Sequence, residues 1–268
     1  MKKLLLTIPV LYCAIVANAQ FIKNVQIVDG SGKLAFAGAV RIVKGKIAAI
    51  GNIHVLKGEQ IIDGGGMILA PGFIDAHSHH FGSLYDNPAG IPVTSQGVTT
   101  IVAGQDGSSD PIDSILDFIH HTPIAINVAT FTGHSSLREK VMGEKDVYRT
   151  ATPSEIESMK KLLITDMQKG SLGLSTGLEY EQAFFSSKQE VIDLAKVAGL
   201  NGGRYISHIR SEDITLEDAV DEIINIGRAA KLPVQLTHMK ISMVSKWGTS
   251  HAMLSKLEKA RSEGINIT

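Results

Sequence analysis

Hydrophobic and polar residues change rhythm at Pro71. Before it, β-branched runs over 25–28, 39–43, 47–50 and 61–62 end in turn residues such as Asp29-Gly30-Ser31-Gly32, Lys44-Gly45-Lys46 and Gly64-Gly65-Gly66. That alternation is the signature of short strands and hairpins. The strands are too few to close a core of their own, so they predict a small sheet packed on something else. After Pro71, strand-like runs over 72–76, 99–103, 124–130, 172–176, 204–207, 234–237 and 265–267 alternate with helical periodicity over 113–121, 153–168, 188–200, 216–231 and 251–263. Thr152 is placed to cap a helix that carries Pro153 in its first turn. Leu216-Glu217-Asp218 puts acids at a helix start, with Arg228 and Lys231 at its end, as the helix dipole favours.

Alternating strands and helices over about 190 residues imply a parallel sheet. It is either open and doubly wound or closed as a (β/α)8 barrel. No Gly-rich fingerprint follows the first strand, which weighs against a dinucleotide-binding sheet. The expected fold class is α/β: a TIM-like (β/α)8 barrel, present as about six and a half units, with a small N-terminal β-sandwich portion. The corresponding domains are a leader over 1–19, part of a composite β-sandwich over 20–70, and a barrel over 71–268 that lacks its C-terminal strands.

Composition narrows the class. With 44% hydrophobic residues and 26 Lys+Arg against 27 Asp+Glu, the chain is too apolar for disorder and carries no basic excess for nucleic acid. Lys2 and Lys3 lead an apolar run that closes on Ala17-Asn18-Ala19, the order of a secretory signal peptide cleaved before Gln20. The run is shorter than the roughly 20 apolar residues of a membrane span. Cys13 follows Tyr12, where a lipoprotein leader needs a small residue. An exported protein, periplasmic or secreted and without a stable membrane span, is expected. Cleavage removes two lysines and the only cysteine, leaving 24 basic against 27 acidic residues and no thiol. A metal centre in the mature chain must then use imidazole, carboxylate or modified lysine.

The chemistry concentrates at strand ends. In Asp75-Ala76-His77-Ser78-His79-His80, His77 and His79 are two apart and share one face of an extended chain, while His80 faces away. His208 ends one later apolar run and His238 another, the address at which barrel enzymes place functional groups. A single histidine there is more often structural. Four at matching addresses point to a hydrolase site holding one or two metals. His54, His120, His121 and His251 have no such address and are read as surface residues.

The chain resembles the amidohydrolase superfamily and, more finely, the N-acyl-D-amino-acid deacylases (D-aminoacylases). The wider resemblance rests on Pro71-Gly72-Phe73-Ile74-Asp75-Ala76-His77-Ser78-His79 after a small sheet. The finer one rests on Gly97-Val98-Thr99-Thr100, Gly133-His134-Ser135-Ser136-Leu137-Arg138, Gly173-Leu174-Ser175-Thr176-Gly177-Leu178-Glu179-Tyr180, Tyr205-Ile206-Ser207-His208-Ile209-Arg210, Thr237-His238-Met239-Lys240 and Lys246-Trp247-Gly248, in the family's order. It implies that His77 and His79 hold one metal and that His208 and His238 hold the tighter one. The resemblance aligns Asp106 with a bridging ligand that is often cysteine; the alternative is a turn residue before Gly107. Some relatives bridge through a carboxylated lysine on strand 4, but 172–176 contains none. Lys240 matches a position that binds the substrate carboxylate, against the alternative of a solvated lysine. Arg210 is a further substrate-orienting candidate, or a salt-bridge partner of Glu212 or Asp213. His134 and Arg138 would shape the site near its mouth without ligating.

The implied reaction is hydrolysis of N-acyl-D-amino acids with one or two divalent ions, zinc being favoured by the imidazoles. In the family the acid–base residue is an Asp after strand 8, beyond Thr268. Asp75 is a weaker second candidate. The expectation is therefore an N-terminal portion of a longer deacylase that does not turn over substrate alone. Two rivals stand beside it: a cyclic amidase of the dihydroorotase or hydantoinase kind, which usually wants the strand-4 lysine, and a non-catalytic metal-binding remnant.

Overall fold

The computed structural model describes residues 19–268. The expected leader lies outside them except for Ala19, which opens the first strand. The chain divides between Gly72 and Phe73 into two compact units.

The first unit is a five-stranded sheet. β1 (Ala19–Ile27) pairs antiparallel with β2 (Phe36–Val43), which pairs antiparallel with β3 (Lys46–Gly51). β4 (Gln60–Asp63) and β5 (Ile68–Leu69) both lie parallel to β1. Lys44 and Gly45 connect β2 to β3 with φ of 51° and 72°. Two left-handed residues form the turn whose twist matches a tight hairpin. Val25, Ile27 and Val40 form the buried centre of this unit. β5 was not expected, because two residues are too few for an alternating pattern to register.

The second unit repeats strand and helix. Its elements are β6 (Phe73–Asp75), α1 (Ile91–Thr94), β7 (Val98–Ala103), α2 (Ile112–His121), β8 (Asn127–Thr130), β9 (Thr132–Gly133), α3 (His134–Met142), α4 (Pro153–Gln168), β10 (Gly173–Gly177), α5 (Glu181–Phe184), α6 (Lys188–Leu200), β11 (Arg204–His208), α7 (Leu216–Ala230), β12 (Val234–Leu236) and α8 (Ser250–Ser262). All pairings are parallel, in the order β6-β7-β8 and β9-β10-β11-β12. β8 and β9 are one strand interrupted at Phe131. Its first part pairs with β7 and its second with β10, so the two sheets continue into each other. Ile267 adds a parallel bridge to Val234, where the sequence predicted a seventh strand. This is the sequential parallel order of a TIM-like α/β barrel.

The main core lies between β9–β12 and the helices that cover them, with Met159, Leu163, Leu174, Leu194 and Val220 fully buried. α4 begins as its sequence predicts. The Thr152 side chain accepts from the Glu155 N–H, and Glu155 accepts from the Thr152 N–H at 2.7 Å, a capping box. Hydrogen bonds from Arg149 and from the Thr152 backbone hold the Glu155 carboxyl down at about 2. Thr152→Ala should cost about 1 kcal/mol in urea unfolding. A lowered carboxyl pKa stabilises the fold above its ordinary value and loses that contribution as pH falls toward the folded value. Alanine keeps the Arg149 and backbone hydrogen bonds that hold Glu155 down. The deficit of the variant should therefore change little between neutral pH and 4.5, and both proteins should lose the Glu155 contribution together as pH falls toward about 2.

α3 is the longest element that the sequence concealed, beside the short α1 and α5. His134, Ser135 and Arg138 are buried on it beside Leu137 and Met142, so polar side chains interrupt the apolar period of its inward face. His134 follows the C-terminal end of β9, and both it and Arg138 are fully buried.

Candidate metal centre

The C-terminal ends of the strands deliver the histidines. β6 formally stops at Asp75, and His77 and His79 lie beyond it, not within the strand as their spacing suggested. The ladder nevertheless runs on: the Ser78 N–H donates to the Val102 carbonyl at 3.0 Å, which keeps His77 and His79 on one side. His208 is the last residue of β11, and His238 lies two past β12. The Thr237 N–H still pairs with the Ser207 carbonyl at 3.0 Å. The four imidazoles form a continuous row. Ring centroids are 5.1 Å apart from His79 to His77, 5.1 Å from His77 to His238 and 4.7 Å from His238 to His208.

Asp106 sits along this row, in the loop after β7, with a φ of 53° that aspartate tolerates better than most residues. Its Oδ2 is 3.2 Å from His77 Nε2 and 3.0 Å from His79 Nε2, and its Oδ1 is 3.6 Å from His238 Nε2. The loop can approach because β10 ends in Gly177, where a Cβ would stand 2.2 Å from the Asp106 carbonyl oxygen. Burial pushes the Asp106 carboxyl up. Its hydrogen bond to His77 and the charges of His77, His238 and His79 outweigh that and leave it below the usual range.

Carboxylates on the far side fix two of the rings. His208 Nε2 lies 2.9 Å from Glu179 Oε2, and His238 Nδ1 lies 2.9 Å from Glu212 Oε1. An ionised carboxylate only accepts, so the protons belong on those nitrogens. The lone pairs of His208 Nδ1 and His238 Nε2 then face each other at 3.1 Å. Tyr180 OH also reaches His208 Nδ1, at 3.1 Å. Burial, and then the charges of Asp106, Glu212 and Glu179, hold the Tyr180 phenol above its ordinary value.

The donor set fits a divalent cation. His77, Asp106 and His238 bring ligand atoms within 4.8 Å of one another, and His208, Glu212 and His238 do the same. Asp106 Oδ1 and His77 Nδ1 are buried without a hydrogen-bond partner among the described residues. An orphaned carboxylate oxygen beside opposed imidazole lone pairs suits a cation better than another side chain. Glu212 is already engaged by Lys240, so against His238 it stands as an orienting group.

The remaining candidates divide. Lys240 reaches the centre, pairing with Glu212 and lying 3.0 Å from His238 Nδ1. Arg210 is engaged elsewhere: its guanidinium makes two hydrogen bonds of 2.9 Å to Glu222 on α7, not to Glu212 or Asp213. Asp75 accepts the His77 N–H at 3.3 Å and so braces the histidine loop. His80 is exposed, as are His54, His120, His121 and His251. Glu179 and Glu212 were missed as functional residues. They lie two residues after Gly177 and four after His208, the same strand-end address that marked the histidines. Beside the centre opens a cleft of about 310 Å³, lined in part by His79, Asp106, Ser135, Tyr180 and Gln182.

Sequential parallel strands with an imidazole–carboxylate cluster at their C-terminal ends define a barrel-type α/β protein with a metal-ligand constellation. Residues 60–267 match the amidohydrolase family, and the chain belongs to it. It is 32% identical over 264 residues to N-acyl-D-glutamate deacylase of Alcaligenes xylosoxydans xylosoxydans, covering 90% of this chain and 54% of that protein. It is 33% identical over 258 residues to D-aminoacylase of the same organism, covering 87% and 53%. The solved N-acyl-D-glutamate deacylase of Bordetella bronchiseptica, complexed with zinc and a phosphonate mimic of the tetrahedral intermediate, superposes with a TM-score of 0.86 at 31% identity over 92% of this chain and 57% of that one. The chain thus spans about half the length of the curated relatives it matches.

Proposed function

We propose that the protein is a metal-dependent hydrolase that cleaves the amide bond of N-acyl-D-amino acids, releasing a carboxylate and a D-amino acid. The observation that carries this reading is the row of four imidazoles with Asp106 offering one oxygen to His77 and His79 and the other to His238. The substrate class is supported by the relatives, which are named N-acyl-D-glutamate deacylase and D-aminoacylase.

His77, His79 and Asp106 would hold one divalent ion, and His208, His238 and Asp106 a second, with zinc favoured by imidazole donors. Such an ion supplies polarisation of the acyl carbonyl and acidification of a water. The chain's own residues prepare the site for it. Glu179 and Glu212 fix the tautomers of His208 and His238. Lys240 offers an ammonium to the substrate carboxylate at the rim. Hydrolysis adds water across the C–N bond, and the proton lost by the water returns to the leaving amine. The leader motif supports a periplasmic or secreted location. No helix of the described residues is long and apolar enough to cross a membrane.

The test is to load the protein with zinc and present N-acetyl-D-methionine and N-acetyl-D-glutamate beside their L enantiomers. Binding or hydrolysis confined to the D series is expected. Equal handling of both series, or ring opening of a hydantoin in their place, contradicts the reading.

A further inference from the structure

Gly133-His134-Ser135-Ser136-Leu137-Arg138 is one of the chain's distinctive motifs, yet none of its side chains reaches the ligand atoms. Its residues do something else. At the start of α3, the Ser135 N–H donates to the Gly107 carbonyl at 2.8 Å, and the Ser136 hydroxyl bonds both the N–H and the carbonyl of Ser109. These bonds hold the loop that carries Asp106. One turn later, Arg138 Nε donates to the Gln182 carbonyl at 2.9 Å, three residues past Glu179 and two past Tyr180. Its Nη2 donates to the carbonyls of Val147 and Arg149 at 2.8 and 2.6 Å.

The anchor is Glu190 on α6, wholly buried with His134 and Arg138. Glu190 Oε1 accepts from Arg138 Nη1 at 2.5 Å and from His134 Nε2 at 2.9 Å. Burial pushes His134 below its ordinary value, which disfavours its charged form and leaves Glu190 with Arg138 as the pair of opposite charges. A buried ion pair of this kind is poor evidence for stability and better evidence for a fixed geometry. The geometry it fixes is the distance between two loops that both touch the row of histidines.

We infer that α3 is a clamp that positions the Asp106 loop against the Glu179–Tyr180 loop, with His134, Arg138 and Glu190 as its positioning residues. Its effect on cation binding rests on the metal reading above; the clamp itself does not.

Arg138→Lys separates the two parts of the device. It keeps the charge beside Glu190 but lacks the planar fork that reaches Gln182, Val147 and Arg149 together. Hydrogen exchange followed by mass spectrometry should show lost protection over 178–185 in R138K. Calorimetry with zinc should show affinity lowered by about 10- to 100-fold, as for other groups that orient metal ligands. Leu257→Ala on α8, a buried position away from the clamp, is the stability control. It should lower stability while leaving both readouts unchanged.

Unchanged exchange over 178–185 in R138K overturns the clamp, as does equal loosening of that segment in L257A. Faster exchange with unaltered zinc affinity overturns the positioning role. If the unmodified protein takes up no zinc, the metal reading fails, and exchange alone still decides the clamp. Should R138K not fold, His134→Asn, which frees Glu190 from the first turn of α3, carries the same comparison.

Discussion

Asparagine at Asp106 should weaken zinc binding at least about tenfold and alanine more than about 100-fold, because removing a ligand exceeds the loss usual for groups that only orient one. Asp106 is the carboxylate that touches both halves of the histidine row, at 3.0 and 3.2 Å on one side and 3.6 Å on the other. Four imidazoles without it would offer donors and no countercharge to a cation at the point they share. The two substitutions separate charge from backbone strain. Asparagine, like aspartate, is at ease at the φ of 53° found here and keeps the side-chain shape. Alanine adds a left-handed strain of about 1 kcal/mol or more. Calorimetric zinc titration and urea unfolding of the same samples distinguish them. D106N should lose affinity and keep its stability, whereas D106A should lose both. Wild-type affinity in D106N would show that Asp106 is a turn residue and nothing more.

Arg138→Met should produce the largest loss of stability of any single change considered, about 3–5 kcal/mol, because it strands a buried carboxylate. Glu190 is fully buried, and its Oε2 has no partner among the described residues even with the arginine in place. Burial by itself raises the Glu190 carboxyl; hydrogen bonding to His134 and the hydrogen bond and charge of Arg138 bring it below the ordinary range. Removing Arg138 takes away its hydrogen bond and charge and should move the carboxyl upward, with His134 left as its one partner among the described residues. A carboxyl raised in the folded state is destabilising when ionised, and that penalty is relieved as pH falls through its folded value. The deficit of R138M should therefore be greatest near neutral pH and shrink below the carboxylate range, provided that the rest of the fold survives the acid. Thermal unfolding at a series of pH values reads both points. A pH-independent deficit would mean that lost packing of the arginine stem, not the stranded charge, is responsible.

The sequence exposed some layers of this organisation and hid others for physical reasons. Pro153–Gln168 and Lys188–Leu200 were legible to the residue, because each pairs an N-cap, Thr152 or Ser187, with an acid three residues on and a periodic apolar face. The four histidines were legible because each closes or follows an apolar strand, and strand ends share one address. Asp106 came only from the family resemblance, since an aspartate before glycine looks like any turn. Glu179 and Glu212 were hidden because acids in a loop before a helix are ordinary helix-start residues. α3 was hidden because His134, Ser135 and Arg138 are buried among its apolar residues Leu137 and Met142, and periodicity registers only the apolar part of a buried face. The partner of Arg210 was misjudged for a similar reason: Glu222 lies twelve residues away and one and a half turns into α7, where only the folded chain brings it close.

X-ray absorption at the zinc edge of the loaded protein tests the metal centre most directly. The expected spectrum has a first shell of nitrogen and oxygen at about 2.0–2.1 Å, with the outer-shell scattering of imidazole rings and no sulfur. That outer-shell scattering should fall in His77→Ala and in His238→Ala, which remove one ring from each half of the row. A sulfur shell, or a spectrum without imidazole scattering that neither substitution alters, would place the metal elsewhere and contradict the centre built from His77, His79, Asp106, His208 and His238.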